Sequence, residues 1–493
     1  MALAFEERTW SFSELDRATN NVASGMLQVG LQKGDRVAVY GKNSDAYLLS
    51  WLGCARAGLV HVPINNKLSG DELGYIIRQS GSRAIFCDAE FIQQVHAVRD
   101  IPELSITGTL AAGSQLDLLR LAGHGDGTPP DMTVEGHDLA QIQYTSGTTS
   151  APKGAMMTHR SILTEYLSCI HDLEYEEGDA CLAALPLYHT AQMHAFSMPQ
   201  MLAGGATWLI EAPSPLVVFE LVQRRRIVSF FAPPTVWISL LRHPDFDDYD
   251  LSSLVKLYYG ASIMPEPVLG ELSRRLPNGR LYNVYGQSEI GPVATVLKPA
   301  EHAARPTSAG RPVINVETRI VDADMNDVPT GERGEIVHRS AQLLTGYWQR
   351  DDETEAAFRG GWFHSGDVGI MDDEGYVYIV DRVRDVINTG GVLVAGREVE
   401  DALFTHPAVS EAAVIGLPDE KWIEAVTAIV VLRPDALATE LELIAHVRGT
   451  LAAHKVPKRV HFLVELPRNA SGKILKRELR ERFSDTPRSA PSF

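Results

Sequence analysis

Apolar residues recur along this chain with two different spacings. After Ser11-Phe-Ser-Glu14, a capping-box pattern, Leu15, Ala18, Val22 and Met26 fall on one face at helical spacing, which predicts an amphipathic helix. A short apolar run from Arg36 to Tyr40 comes next, then a Gly-Lys-Asn-Ser break, a helical stretch from Asp45 and a strand-like run, Ala84-Ile-Phe-Cys87. Short apolar strands alternating with helical patterns predict α/β layers on a largely parallel sheet, and the alternation continues past Gly260. Beyond about residue 380 the texture changes. The charged run Asp381-Arg-Val-Arg-Asp385 leads to the pair Gly390-Gly391, Ala425 to Leu432 reads as a strand, and Ile444, Val447 and Leu451 read as the apolar face of a helix. The pattern therefore predicts a large multi-subdomain α/β domain over residues 1–383 and a small α+β domain over 384–493, with a hinge at Arg384. The Ser- and Pro-rich stretch from Ser484 to Phe493 is expected to be mobile.

Composition narrows the class. A chain of 493 residues with 45% hydrophobic and 22% charged residues has room for several buried cores, so disorder and coiled coil are excluded as the main architecture. The formal net charge of −18 argues against nucleic acid and anionic lipid as partners, since both require a basic surface. Cys54, Cys87, Cys169 and Cys181 lie far apart without zinc spacing and read as small buried hydrophobes in a reduced compartment. The start, Met1-Ala-Leu-Ala-Phe-Glu-Glu-Arg, lacks signal-peptide character, and Arg56 interrupts the apolar region from Leu48 to Ile64, so a cytoplasmic protein without an integral membrane segment is expected.

Candidate chemistry centres on Tyr144-Thr-Ser-Gly-Thr-Thr-Ser-Ala-Pro-Lys-Gly154. Five Ser/Thr hydroxyls, two glycines and one lysine in eleven residues suit a loop that closes around phosphate oxygens with backbone amides, hydroxyls and a cation. The candidates are Thr145, Ser146, Gly147, Thr148, Thr149 and Lys153. A solvated Ser/Thr turn fits the same composition. Ser150-Ala-Pro-Lys153 also fits the S-x-x-K pattern of serine acylases, although the second lysine motif of those enzymes is missing, and G-x-x-x-x-G-K-[ST] is not matched.

Read with Tyr285-Gly-Gln-Ser-Glu289, Trp362-Phe-His-Ser-Gly-Asp367, Asp381-Arg-Val-Arg-Asp385 and Pro467-Arg-Asn-Ala-Ser-Gly-Lys473, the loop resembles the ordered motif series of the adenylate-forming superfamily, most of all its fatty-acyl-CoA synthetases. The resemblance spans nearly the whole chain. It implies an acid–thiol ligase in which a carboxylic acid attacks the α-phosphate of ATP to give an acyl-adenylate and pyrophosphate, after which the thiol of coenzyme A displaces AMP. By resemblance, Thr145 to Lys153 hold the β- and γ-phosphates, Gly260, Ala261 and Ser262 line the adenine pocket with Tyr285 and Gly286, and Ser288 touches the α-phosphate. Glu289 helps hold Mg²⁺. Asp367 accepts the ribose hydroxyls, Arg382 adds a contact from the hinge side, and Lys473 bridges carboxylate and α-phosphate. His189, in Pro186-Leu-Tyr-His-Thr190, has a gate or pocket-wall role or is a satisfied core histidine, and Gly391 helps form the pantetheine channel after the small domain rotates.

The chain departs from the family after the glycine pair. Leu393 stands where a polar residue is usual and Gly396 where proline is usual. Leucine donates no hydrogen bond, and glycine for proline loosens a chain. Two outcomes are expected: local repacking, or an altered balance between the half-reactions, including retention of only one of them. Glu332-Arg-Gly-Glu335 and Thr345-Gly-Tyr-Trp348 read as turns and packing. The segment Ala191 to Met201, with Met193, Phe196 and Met198, and the stretch Phe230 to Trp237 are expected near the acid, which their side chains mark as apolar. The expected substrates are ATP with Mg²⁺, a carboxylic acid and coenzyme A, with a carrier protein as an alternative acceptor and a monomer or homodimer as the assembly.

Overall fold

Local signals set the first elements. Ser11 caps the helix Phe12–Gln28 by accepting the Glu14 N–H at 3.2 Å, while the Glu14 carboxylate accepts the Ser11 N–H at 2.8 Å, so the capping box forms as read. The helix Asp45–Ala57 starts at Ser44, whose Oγ accepts the Tyr47 N–H at 3.1 Å, and stops at Gly58 with φ of 66°, a left-handed turn that suits glycine. The computed structural model describes residues 1–98, 101–111, 114–145, 151–262, 264–382, 385–389, 392–419, 422–434, 436–468 and 474–484, with the backbone alone for Arg382 and Leu393. Two compact units result. One comprises Met1–Thr318 and His338–Phe363, the other Arg319–Val337 and His364–Phe493.

The first unit is α/β, as the alternation predicts. A six-stranded sheet runs in the order Ile106–Thr109, Ala84–Cys87, Arg36–Tyr40, Val60–Ile64, Leu139–Thr145, Lys153–Thr158. Its interior strands are largely buried, Ala84–Cys87 and Val60–Ile64 entirely so, and pair in parallel, while its last two form an antiparallel hairpin. A nine-stranded sheet has at its centre the parallel set Ala206–Leu209, Ala180–Ala183, Ser229–Ala232, Lys256–Gly260 and Arg280–Tyr285. Its core gathers Leu182, Val222, Phe230, Trp237, Leu257 and Leu272, all at most 2% exposed. All four cysteines are buried and unpaired, and burial pushes the Cys87 thiol up to about 12.

The second unit is α+β. Ile423–Leu432 pairs antiparallel with Val409–Asp419 and parallel with Arg459–Phe462, and the helices Gly396–Phe404 and Glu440–Arg448 cover this sheet through Val399, Leu403, Leu443 and Val447. The strand is where the sequence puts it. The helix ends earlier than expected, so Leu443 with Val447 forms its buried face and Leu451 lies beyond it. Phe363–Met371 and Val377–Arg382 form a second antiparallel pair. Among the described residues no helix is long and apolar enough to cross a membrane. The stretch from Asp485 to Phe493 lies outside the described residues.

Enclosed titratable groups tie the first unit's stability to pH. Burial lowers His61 and His194 to about 3 and His189 and His338 to about 4. These imidazoles stay neutral when folded but protonate below about 6.5 when unfolded, so stability is present above that value and is lost as pH falls from there towards about 4. Glu165 and Asp88, held above their ordinary values by burial, act with the opposite sign, while burial lowers His159 and His302 in the same sense as the four. Each histidine contributes at most about 1.4 kcal/mol per pH unit. Chemical denaturation between pH 7.5 and 5 is expected to show stability falling with pH, and His338→Gln is expected to flatten the slope; an unchanged slope in that variant contradicts this account.

Candidate active site

The described ends of the hydroxyl-rich stretch belong to the two strands of a hairpin. Thr145 ends the strand Leu139–Thr145, Lys153 begins Lys153–Thr158, and the two face each other in register, so the intervening residues start and finish at one place. Ser146, Gly147, Thr148, Thr149 and Ser150 lie outside the described residues. A further segment lies along the outer edge of this hairpin. Thr345 and Trp348 donate their N–H groups to Met156 and Gly154 oxygens at 2.9 and 2.8 Å, and Met156 donates to Gly346 O at 3.0 Å. Tyr347, opposite Ala155, is thereby held with its ring 5.1 Å from Lys153 Nζ.

Glu289 is the chemical centre of the described part. It lies in the short turn Ser288–Ile290, is buried, and accepts the Thr145 hydroxyl at 3.0 Å and the Tyr347 hydroxyl at 3.3 Å, both on Oε1. No hydrogen bond to Oε2 is made among the described residues. The Glu289 backbone is fixed too, because its carbonyl oxygen accepts the Leu344 N–H at 2.8 Å. Burial, and then the neighbouring Glu289 carboxylate, push the Tyr347 phenol far above its ordinary value, so it stays a donor. Ser288 Oγ lies 2.9 Å from Thr190 Oγ1, which links the turn to the residue after His189. Underneath, Gln342 Nε2 donates to the Ile290 and Val293 oxygens at 2.8 and 2.6 Å.

Tyr285 and Gly260 sit at the carboxyl ends of adjacent parallel strands, the end at which ligands bind in open α/β sheets. Glycine is required at both following approaches. A Cβ on Gly260 would lie 2.2 Å from Val284 O, and one on Gly286 would lie 2.0 Å from Pro292 O. Ala261 holds φ of 62°, a conformation that costs an L-residue of order 1 kcal/mol and clusters at functional sites. Ala261 and Ser262 are exposed. The Tyr285 ring stands 6.3 Å from His338, whose Nδ1 bonds Thr318 Oγ1 at 3.0 Å.

His189 is lowered to about 4 by burial, and its Nε2 is enclosed without a partner among the described residues, so it is a neutral histidine. The segment after it, Ala191–Ser197, winds as a π-helix, a form often found at functional sites. Phe196 stacks on Phe231 at 3.9 Å, whereas Phe230 and Trp237 pack in the core of the nine-stranded sheet.

In the second unit Asp367 is buried, its N–H bonds Ser365 Oγ at 3.0 Å, and it faces Arg382 in register on the paired strand. The side chain of Arg382, and Arg384, Gly391 and Lys473 entirely, lie outside the described residues. The structure thus brings together Thr145, Lys153, Ser288 and Glu289 and places Tyr285, Gly286 and Gly260 on neighbouring strand ends. It adds Tyr347 and Thr190, which the sequence reading left as packing and as the unremarked neighbour of His189.

A model of the AMP-binding enzyme family matches residues 1–348, and one of the AMP-binding enzyme C-terminal domain matches 398–473. Feruloyl-CoA synthase of an Amycolatopsis species is 37% identical over 478 residues, 96% of this chain and 94% of that protein. A long-chain-fatty-acid–CoA ligase of Mycobacterium tuberculosis is 34% identical over 480 residues, 97% of this chain and 93% of the relative. The crystal structure of ATP-bound MatB from Rhodopseudomonas palustris superposes with a TM-score of 0.91 at 29% identity, covering 98% of this chain and 96% of that one. The chain belongs to the AMP-binding enzyme family and is an adenylate-forming, ATP-binding acyl-CoA synthetase that activates a carboxylic acid as an acyl-adenylate and passes it to coenzyme A.

Proposed function

We propose that this acyl-CoA synthetase acts on an apolar acid, an aryl or fatty acid of the classes for which the feruloyl and long-chain relatives are named, and that its residues divide the work as follows. Thr145, Ser146, Gly147, Thr148, Thr149 and Lys153 hold the β- and γ-phosphates, and Lys153, over the Tyr347 ring, supplies the cation. Tyr285 and Gly286 flank the adenine with Gly260, Ala261 and Ser262. Ser288, its hydroxyl fixed by Thr190, meets the α-phosphate. Asp367 takes the ribose hydroxyls and Arg382 adds to them. The observation that carries this reading is the Glu289 carboxylate, kept buried by two hydroxyl donors on one oxygen at the root of the phosphate loop.

That carboxylate fits magnesium. Among the described residues no group of three or more His, Cys, Asp or Glu could hold a metal by itself, so Glu289 would be its protein ligand and phosphate oxygens the others, the arrangement this small hard cation favours. When bound, the ion neutralises charge on the phosphates. The chain's own groups handle the rest. In the first step a carboxylate oxygen bonds to the α-phosphorus as the bond to pyrophosphate breaks, and Lys473 offsets the charge that gathers between the two anions. In the second, the coenzyme A sulfur bonds to the acyl carbon and the bond to AMP breaks, with Gly391 guiding the pantetheine arm. We place the pivot at Arg384, so that the domain over 384–493 presents Lys473 in one half-reaction and Gly391 in the other. His189 serves as a wall of the acid pocket.

Incubation with ATP, Mg²⁺, coenzyme A and a pooled library of carboxylic acids is expected to yield AMP and a thioester whose mass, read by mass spectrometry, names the acid. A product set without AMP contradicts the reading. Glu289→Gln keeps the shape and removes the charge, and is expected to lower kcat for the overall reaction about 100-fold or more with folding intact. Lys473→Ala is expected to lower acyl-adenylate formation by about the same factor while thioester formation from a preformed acyl-adenylate persists; equal loss in both steps contradicts the role given to Lys473.

A further inference from the structure

Gly396, the residue that replaces a family proline, is not loosened by the change. It opens the helix Gly396–Phe404, and its N–H, which proline would lack, donates to Asp381 Oδ2 at 2.8 Å. A Cβ there would lie 2.9 Å from Val414 O and 3.5 Å from Lys476 Nζ. The bare glycine therefore fits closely against the Val414 carbonyl. Lys476 lies beside it, with 16% of its side chain exposed, and pairs with Glu400 Oε1 at 2.9 Å. Glu400 is held in turn by the Val414 N–H at 2.8 Å, with Arg397 Nη1 3.8 Å from its Oε2. Burial opposes the lysine's charge, but Glu400, Asp381 and Asp385 outweigh it and hold Lys476 above its ordinary value.

Lys476 is also the first residue of the helix Lys476–Ser484, three residues past Lys473. One turn on, Arg480 Nη2 pairs with Asp385 Oδ1 at 2.6 Å, and Leu479 packs fully buried against Ala413, Ile415, Leu417, Ile429 and Leu466. On the other side, Arg468 and Ile474 form a bridge, the Leu475 N–H donates to Pro467 O at 2.8 Å, and Arg468 pairs with Glu411 at 2.9 Å. Three residues reach at most about 11 Å, so the anchorage of Lys476 limits where Lys473 can go. The two ends of the charged run, Asp381 and Asp385, are tied to these two helices, one to each.

We infer that Lys476, beside Gly396 and paired with Glu400, is a positioning residue that fixes the Lys473 segment to the Asp381–Asp385 segment for the adenylation step. The inference rests on the proposed role of Lys473. It assigns Gly396 a purpose, since a side chain there would press on Val414 O and a proline would also lack the N–H that bonds Asp381.

The test measures the two half-reactions separately in the full-length protein. Lys476→Met is expected to lower acyl-adenylate formation up to about 100-fold, the scale that about 1 Å of misplacement produces, with thioester formation from preformed acyl-adenylate little changed. Lys476→Arg, which keeps the charge, is expected to recover part of the loss. Glu400→Gln removes the anchor from the other side while preserving shape, and is expected to give the same one-sided loss should Lys476→Met fold poorly. Parallel loss in both half-reactions marks a purely structural residue and overturns the inference, as does no loss in either. Lys473→Ala separates the two readings: if it spares adenylation, the Lys473 role falls and the inference with it, whereas if it abolishes adenylation and the Lys476 and Glu400 variants do not, the positioning role alone falls.

Discussion

A carboxylate stays buried only where donors meet it, because removing it from water without them costs several kcal/mol. Glu289 is met by the hydroxyls of Thr145 and Tyr347, and the rest of the site is arranged so that these two arrive. Thr145 arrives because it closes the strand of an antiparallel hairpin in register with Lys153. Tyr347 arrives because the segment Thr345–Trp348 bonds along the hairpin's outer edge. One acidic group therefore aligns the loop, its cation and the edge segment, and leaves its second oxygen without a bond to any described residue.

The neighbouring strand ends obey a different constraint, the closeness of backbone to backbone. Gly260 and Gly286 leave no room for a side chain against Val284 and Pro292, and Ala261 between them accepts a left-handed backbone. Such crowding forms a rigid rim at the carboxyl ends of parallel strands, and Thr190 joins it to the His189 segment through the Ser288 hydroxyl. In the second unit the same device recurs, since the missing side chain of Gly396 lets its backbone lie close against the Val414 carbonyl while its N–H donates to Asp381.

Much of this was legible in the sequence where the signal is local. The capping box at Ser11, the alternation of short apolar strands with helices, the strand from Ala425 and the α+β texture past residue 380 are all set by neighbours within a few residues, and they stand in the structure. Leu451 was misplaced because helical spacing persists past the point where the helix Glu440–Arg448 ends. Tyr347 and Thr190 were missed because their contacts, with Glu289 and Ser288, join segments 58 and 98 positions apart, and a tyrosine beside a glycine reads as packing until the partner carboxylate is seen. Phe230 and Trp237 show the converse: large apolar residues near the expected acid site that pack in the core. Replacement of proline by glycine at 396 read as loosening, because the compensating bond to Asp381 and the close Val414 carbonyl come from elsewhere in the fold.

The central claim is that the hairpin loop and Glu289 make the acid attack ATP before coenzyme A is needed. Exchange of labelled pyrophosphate into ATP, followed with ATP, magnesium and the cognate acid but without coenzyme A, tests it most directly. The account predicts rapid exchange that requires the acid and disappears in Glu289→Gln. Exchange that proceeds without acid, or that appears only once coenzyme A is added, would contradict it.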